Sequence, residues 1–108
     1  MIRGDIVVVA ARGAYTGKPR PALVVQSDVF NDTHASVTIC PITSEVIDAD
    51  LFRIGVAMGT RTGLERPSQI MIDKIVTVPR AAITRTVGRS SDSELSAVST
   101  ALAHWLDL

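Results

Sequence analysis

The chain predicts a mainly β fold: one strongly curved antiparallel sheet, bent into a small β-barrel, with a single C-terminal α-helix. Three observations point there. Apolar runs rich in Val and Ile recur at short spacing, the joints between them carry Gly and Pro, and no strand pattern alternates with helical repeats as parallel βαβ units require. The 108 residues form one domain, 1–108, of a size that buries about 60 to 65% of its unfolded surface. With 46% apolar residues but only 4% aromatic, the core must be built from Val, Ile, Leu and Ala.

The elements follow in order. Asp5 to Ala10 and Ala22 to Gln26 are apolar runs of strand length, β-branched and bounded by turn formers. Between them Ala11 to Pro19 is too long for a tight hairpin, and such loops on a rigid sheet often carry function. Ser36 to Ile42 reads as a third strand. Phe52 to Met58 reads as a fourth, with Phe52, Ile54, Val56 and Met58 alternating against Arg53, Gly55 and Ala57. Gln69 to Val78 is a fifth, bent or split around Asp73-Lys74, and Thr84 to Val87 a short sixth. The helix is announced by Ser91-Asp92-Ser93-Glu94, a capping box in which the Ser91 hydroxyl takes the Glu94 N–H and the glutamate reaches back. Leu95, Val98, Leu102, Trp105 and Leu106 then make one apolar stripe, which must cover the open face of the sheet or join the same helix of a second subunit.

Whole classes fall away. The single cysteine, Cys40, forms no internal disulfide and reads as a buried small hydrophobe, and His34 and His104 show no metal spacing. The N-terminus enters a strand pattern at once, without a leader pattern, and no apolar run approaches the ~20 residues of a membrane span, so a cytoplasmic location is expected. Net charge is zero, 11 basic against 11 acidic residues, which argues against a generally basic RNA binder. The charges are unevenly spread, however: Arg12, Lys18 and Arg20 cluster around the first loop, and Arg61 and Arg66 sit in a second. A local positive groove and an ordinary solvated face both fit that pattern.

Arg20 lies between Pro19 and Pro21, which hold the segment extended and exclude helix. A guanidinium leaving such a stiff strand entry suits a phosphate, matching its oxygens bidentately and keeping its proton at every working pH. It also has a plain reading, a surface arginine closing a salt bridge. Thr43 follows the apolar run and Pro41 in the same way; its plain reading is a strand-end hydroxyl bonded to its own backbone. Tyr15, at the tip of a polar loop, either packs on the barrel edge or offers a stacking platform for an unpaired base.

Four segments in order resemble the MazF/PemK family of toxin endoribonucleases of bacterial toxin–antitoxin systems: Arg3-Gly4-Asp5-Ile6-Val7-Val8-Val9, Arg20-Pro21-Ala22-Leu23-Val24-Val25, Cys40-Pro41-Ile42-Thr43-Ser44, and Gly63-Leu64 to Pro67-Ser68-Gln69-Ile70-Met71-Ile72-Asp73-Lys74-Ile75-Val76-Thr77-Val78. The resemblance covers nearly the whole chain and implies an SH3-like barrel, usually a homodimer. It implies Arg20 and Thr43 as the catalytic pair; Tyr15, Lys18, Ser44, Gln69 and Lys74 are the RNA contacts expected around them. Lys74 stands where the family commonly has glutamine, Lys18-Pro19 lengthen the approach to Arg20, and the first loop lacks a glutamate that some members carry. Asp73 has a family counterpart and reads either as a site residue or as a structural turn acid.

With no histidine near either motif, no spaced carboxylate pair and no metal-ligand cluster in the sequence, a route needing no metal or cofactor is expected. In it the RNA's own 2′-hydroxyl attacks the adjacent phosphorus of a single strand, and Arg20 and Thr43 stabilise the phosphorane. Two alternatives stand beside it: a toxin of the same fold that poisons DNA gyrase, as the CcdB group does, and a non-catalytic protein-binding barrel. The expected protein partner is an antitoxin with a DNA-binding domain and a disordered acidic tail that folds onto the groove beside Arg20.

Overall fold

A computed structural model describes residues 1–10 and 18–108. Its seven strands form one antiparallel sheet: β1 (Asp5–Val9), β2 (Arg20–Val24), β3 (Ser36–Thr43), β4 (Arg53–Val56), β5 (Ser68–Met71), β6 (Val76–Pro79) and β7 (Ile83–Arg89), in the order β4-β5-β3-β2-β1-β7, with β6 also on β3. Helix α1 (Asp28–Asn31) follows β2, and α2 (Asp92–Leu106) ends the fold.

β3 is the spine. One edge pairs with β2 through Ile39 to Pro41; the other pairs with β6 through Ser36 to Ile39 and then with β5 through Ile42 and Thr43. The change of neighbour takes place at the 3₁₀ turn Ile72–Lys74, so the expected long fifth strand is split around Asp73-Lys74 into β5 and β6. Hydrogen-bonded pairing leaves β4 and β7 as the ends of the sheet, so the curved sheet is not closed by a ladder among the described residues. The loop from β4 to β5 bridges that gap. Arg89 N donates to Arg61 O at 2.8 Å, and Gly63 and Gly88 let the two segments touch backbone to backbone.

Alternate residues of the strands fill two cores. Ile6, Leu23, Cys40, Ile42, Ile70 and Ile72 pack with Val98 and Ala101 of α2, while Val7, Val9, Ala22, Val24, Val37, Ile39 and Val78 fill the opposite face. This is period-two burial on both faces, and it explains why β1 and β2 read as continuous apolar runs.

Several expected boundaries move. Arg20 is the first residue of β2 and not part of a lead-in, because Pro21, which donates no N–H, sits where a strand start tolerates it. β4 stops at Val56, leaving Met58 56% exposed, because the next amide, Ala57 N, is taken by the Glu94 carboxylate. β7 is longer than expected, seven residues, since it pairs along β1. α1 was not foreseen: at four residues it is too short for a periodic signal, and side chains hold it, Ser27 Oγ accepting from Val29 N and Asn31 Nδ2 donating to Asp28 Oδ1.

The expected capping box is present. Ser91 Oγ accepts from Glu94 N at 3.1 Å and Ser91 N donates to Glu94 Oε1 at 2.8 Å. α2 packs on β4 and the Ile72–Lys74 turn, covering the sheet as one reading of its stripe expected. The stripe is buried only in part: Leu95, Val98 and Leu102 join the core, whereas Trp105, tilted against Phe52 at 6.2 Å, and Leu106 stay about half exposed.

Candidate active site

The register between β2 and β3 sets Ala22 opposite Pro41 and Val24 opposite Ile39. Continued two residues outward, it brings Arg20, which opens β2, level with Thr43, which closes β3. Two motifs 23 positions apart in the sequence are thus brought to the same end of the sheet, beyond the last β2–β3 pair, Ala22 with Pro41.

A cleft of about 610 Å³ opens at this end, and both residues line it. Val8, Pro21 and Ile42 form its apolar part, Ser44 and Glu45 continue from Thr43, the β4–β5 loop contributes Gly63 to Arg66, and β7 contributes Arg85 and Val87. Cationic and acidic groups meet here: Arg20, Arg66 and Arg85 against Glu45 and Glu65. A concave wall carrying excess positive charge concentrates anions.

Thr43 Oγ1 accepts from Glu45 N at 3.1 Å, the local strand-end bond that its plain reading described. That bond uses a lone pair and orients the hydroxyl while leaving its proton to donate outward. Arg20 is exposed and donates to no acceptor among the described residues, so its plain reading as one half of a salt bridge finds no partner there.

The other expected contacts separate. Ser44 lines the cleft. Tyr15 lies outside the described residues, and Lys18 is exposed just before β2. Gln69 is opposite Thr43, yet its amide clamps the neighbouring loop: Nε2 donates to Ile47 O at 2.9 Å and Oε1 accepts from Ile47 N at 3.1 Å. Lys74 is exposed at the end of the 3₁₀ turn and is not among the cleft's lining residues. Asp73 sits apart from the cleft, with Oδ1 buried and unpartnered among the described residues. Burial, with a smaller push from Asp73, raises the Cys40 thiol to about 12, so Cys40 is a core residue and no nucleophile.

Sequence reasoning missed Arg85, Glu45 and Glu65. Arg85 sits in a strand pattern whose neighbours were unknown until β7 was found beside β1. It also grouped Arg61 with Arg66, but Arg61 donates to Glu94 Oε1 at 2.9 Å and to Arg89 O, so only Arg66 faces the cleft. Glu94 in turn is a structural carboxylate. Burial opposes its charge, but Arg61 and the Ser91 and Ala57 N–H groups outweigh that and hold it below the ordinary value.

The chain is similar to known proteins along its whole length. The chain is 48% identical over 108 residues to "Probable endoribonuclease MazF" of Mycolicibacterium smegmatis, covering 100% of this chain and 98% of that protein. It is 32% identical over 116 residues to "Endoribonuclease MazF9" of Mycobacterium tuberculosis, covering 100% and 98%. Among solved structures, "Mycobacterium tuberculosis toxin MazF-mt6" superposes with a TM-score of 0.81 at 25% identity over 96% of this chain and 97% of that one. A mycobacterial endoribonuclease solved in complex with its cognate antitoxin shares the fold, with a TM-score of 0.81 at 23% identity over 100% and 96%. The model of the PemK-like, MazF-like toxins of type II toxin–antitoxin systems matches residues 2–106, and the chain belongs to that family.

Proposed function

We propose that the cleft at the ends of β2 and β3 is where this toxin endoribonuclease cuts single-stranded RNA, by a transesterification that the RNA performs on itself. The 2′-hydroxyl oxygen attacks the adjacent phosphorus, the bond from phosphorus to the 5′-oxygen breaks, and the products are a 2′,3′-cyclic phosphate and a 5′-hydroxyl. Arg20 places a fork of donors on the non-bridging oxygens, where charge grows in the phosphorane, and the Thr43 hydroxyl donates to one of them. Both sit on strand ends in a rigid sheet, so the donors need little rearrangement at the moment of reaction. The observation that carries this reading is the placement of Arg20 level with Thr43 on one cleft wall.

The direct test is to incubate the protein with a long transcript in EDTA and to characterise the ends. Fragments with cyclic phosphate and 5′-hydroxyl ends are expected, and a transcript carrying 2′-deoxynucleotides should stay intact. Cleavage that required added metal, or that left 5′-phosphates, would refute the mechanism. A binding-only toxin, whether a gyrase poison or a protein-docking barrel, would yield no fragments.

The protein partner is an antitoxin whose acidic tail folds onto the same cleft, where Arg20, Arg66 and Arg85 attract it and its bulk excludes RNA. The antitoxin-bound structural neighbour supports such pairing. The toxin works as a cytoplasmic homodimer, in the compartment of its RNA substrate. No helix among the described residues is long and apolar enough to cross a membrane.

A further inference from the structure

We infer that Gln69 is a positioning residue for cleavage: by tethering the β3–β4 loop it fixes the orientation from which the Thr43 hydroxyl donates to the reacting phosphate. This rests on the RNA-cutting reading of the Arg20 and Thr43 cleft. Gln69 and Thr43 are directly opposed in the register of β5 and β3, so their side chains stand on one face of the sheet, roughly 4.5–5.5 Å apart at Cβ. The carboxamide is spent on the loop that follows Thr43: Nε2 donates to Ile47 O at 2.9 Å and Oε1 accepts from Ile47 N at 3.1 Å. Among side chains only Asn and Gln carry an acceptor and a donor side by side, so neither Glu nor Lys nor Met can match a backbone N–H and C=O at both points. Gln69 is paired on both sides, with Thr43 of β3 and with Gly55 of β4, which makes it a fixed post.

The loop needs such a post. Glu45 to Asp48 make no backbone-to-backbone hydrogen bond among the described residues, and Val46 and Ile47 are about half exposed, so neither a ladder nor core burial fixes this stretch. Side chains hold it instead: Gln69 at Ile47, Arg53 Nη1 donating to Glu45 O at 3.4 Å, and Thr43 Oγ1 accepting from Glu45 N at 3.1 Å. The bond at Thr43 acts in both directions. It anchors Glu45, and by occupying a lone pair of Oγ1 it limits where the hydroxyl proton can point. One residue separates Glu45 from Ile47, so the contacts run without a gap from the Gln69 carboxamide through the Ile47 backbone and the Glu45 N–H to the Thr43 hydroxyl. With the tether at Ile47 cut, the long contact from Arg53 is the remaining side-chain hold on Glu45 besides Thr43 itself. The hydroxyl then spends less time aimed at the phosphate, and a donor out of line contributes little to the transition state.

The test uses two probes and a double-mutant cycle. A fully 2′-O-methylated RNA oligonucleotide reports binding without cleavage, and a long transcript reports turnover. Gln69→Met keeps the length of the side chain and removes both bonds to Ile47. It should lower kcat at saturating transcript about tenfold, less than the roughly 10²- to 10³-fold expected for losing the hydroxyl altogether. KM, affinity for the oligonucleotide and melting temperature should change little. In a Thr43→Val background the same substitution should lower kcat no further, because the hydroxyl it would misdirect is already gone. Losses of rate that multiply in the double variant would show Gln69 acting apart from Thr43 and overturn the inference. A Gln69→Met protein with wild-type kcat overturns it too, whether KM and oligonucleotide affinity alone suffer, as for an RNA contact, or only the melting temperature falls, as for a residue that merely supports the fold. A wild-type protein that leaves RNA intact would instead bring down the reading of the cleft itself, and this inference with it.

Discussion

Arg61 and Glu94 fasten the N-terminus of the closing helix to the loop that forms one wall of the cleft: the guanidinium donates to Oε1 at 2.9 Å while Ala57 N donates to Oε2 at 3.1 Å. One carboxylate therefore caps α2, ends β4 and holds the loop that carries Leu64, Glu65 and Arg66.

Replacing Glu94 should cost more than a surface ion pair. Glu94→Ala removes the reciprocal cap and the charge-assisted bonds, for a loss of about 2 kcal/mol in urea unfolding at pH 7. The carboxyl is held below its ordinary value of 4.5, so its charged form stabilises the fold above that value and the contribution is lost as pH falls through the folded value. The gap between wild type and variant should therefore narrow in acid. An equal gap at pH 7 and pH 3 would show that the shape of the side chain, and not its charge, matters.

Arg20→Ala should abolish cleavage and growth toxicity with little change in melting temperature, because the exposed guanidinium packs into neither core. Arg20→Lys should fail nearly as badly, since a point charge does not reproduce a bidentate fork. A folded Arg20→Ala variant that cuts RNA at the normal rate would remove Arg20 from the site.

Thr43 allows the hydroxyl to be separated from its shape. Thr43→Val keeps the β-branched strand end and should slow cleavage roughly 10²- to 10³-fold, the usual effect of losing one donor to developing charge. Thr43→Ser should retain most activity. The bond from Glu45 N supplies a control: Val loses it too, so circular dichroism and melting must show whether any loss of rate comes with a displaced loop. Equal rates for Val and Ser would make Thr43 a structural strand end.

Gly63→Ala should damage both stability and substrate grip. Gly63 has φ +72°, and an added Cβ would run into the Val87 carbonyl of β7. The left-handed backbone alone costs about 1–2 kcal/mol with a side chain, before the clash. Gly55→Ala serves as its comparison, because nothing lies within 4 Å of the added methyl. Comparable melting temperatures for the two variants would contradict the close approach.

What the sequence disclosed and what it withheld divide along the range of the interactions. The capping box at Ser91 and Glu94 and the break at Asp73-Lys74 are local, set by neighbours a few residues away, and both are present. Arg20 and Thr43 were legible because their prolines and apolar runs mark strand ends. Telling Arg61 from Arg66 was out of reach, because Arg61 is engaged by a carboxylate 33 residues further on. Arg85 was hidden for the same reason: its place in the cleft depends on β7 lying beside β1, a pairing across most of the chain. Met58 continued an alternating pattern that tertiary contacts cut short.

The pairing of first strand with last bears on how such a protein is made. β7 supplies Arg85 and Val87 to the cleft and lies beside β1, so the wall they form exists only after nearly all of the chain has been synthesised. A ribosome-bound chain halted before residue 83 has β1 and β2 but lacks that wall, and its sheet edge at β1 is unpaired. The order of strands in the sheet thus leaves that wall of the cleft unbuilt until the last strand has joined the first.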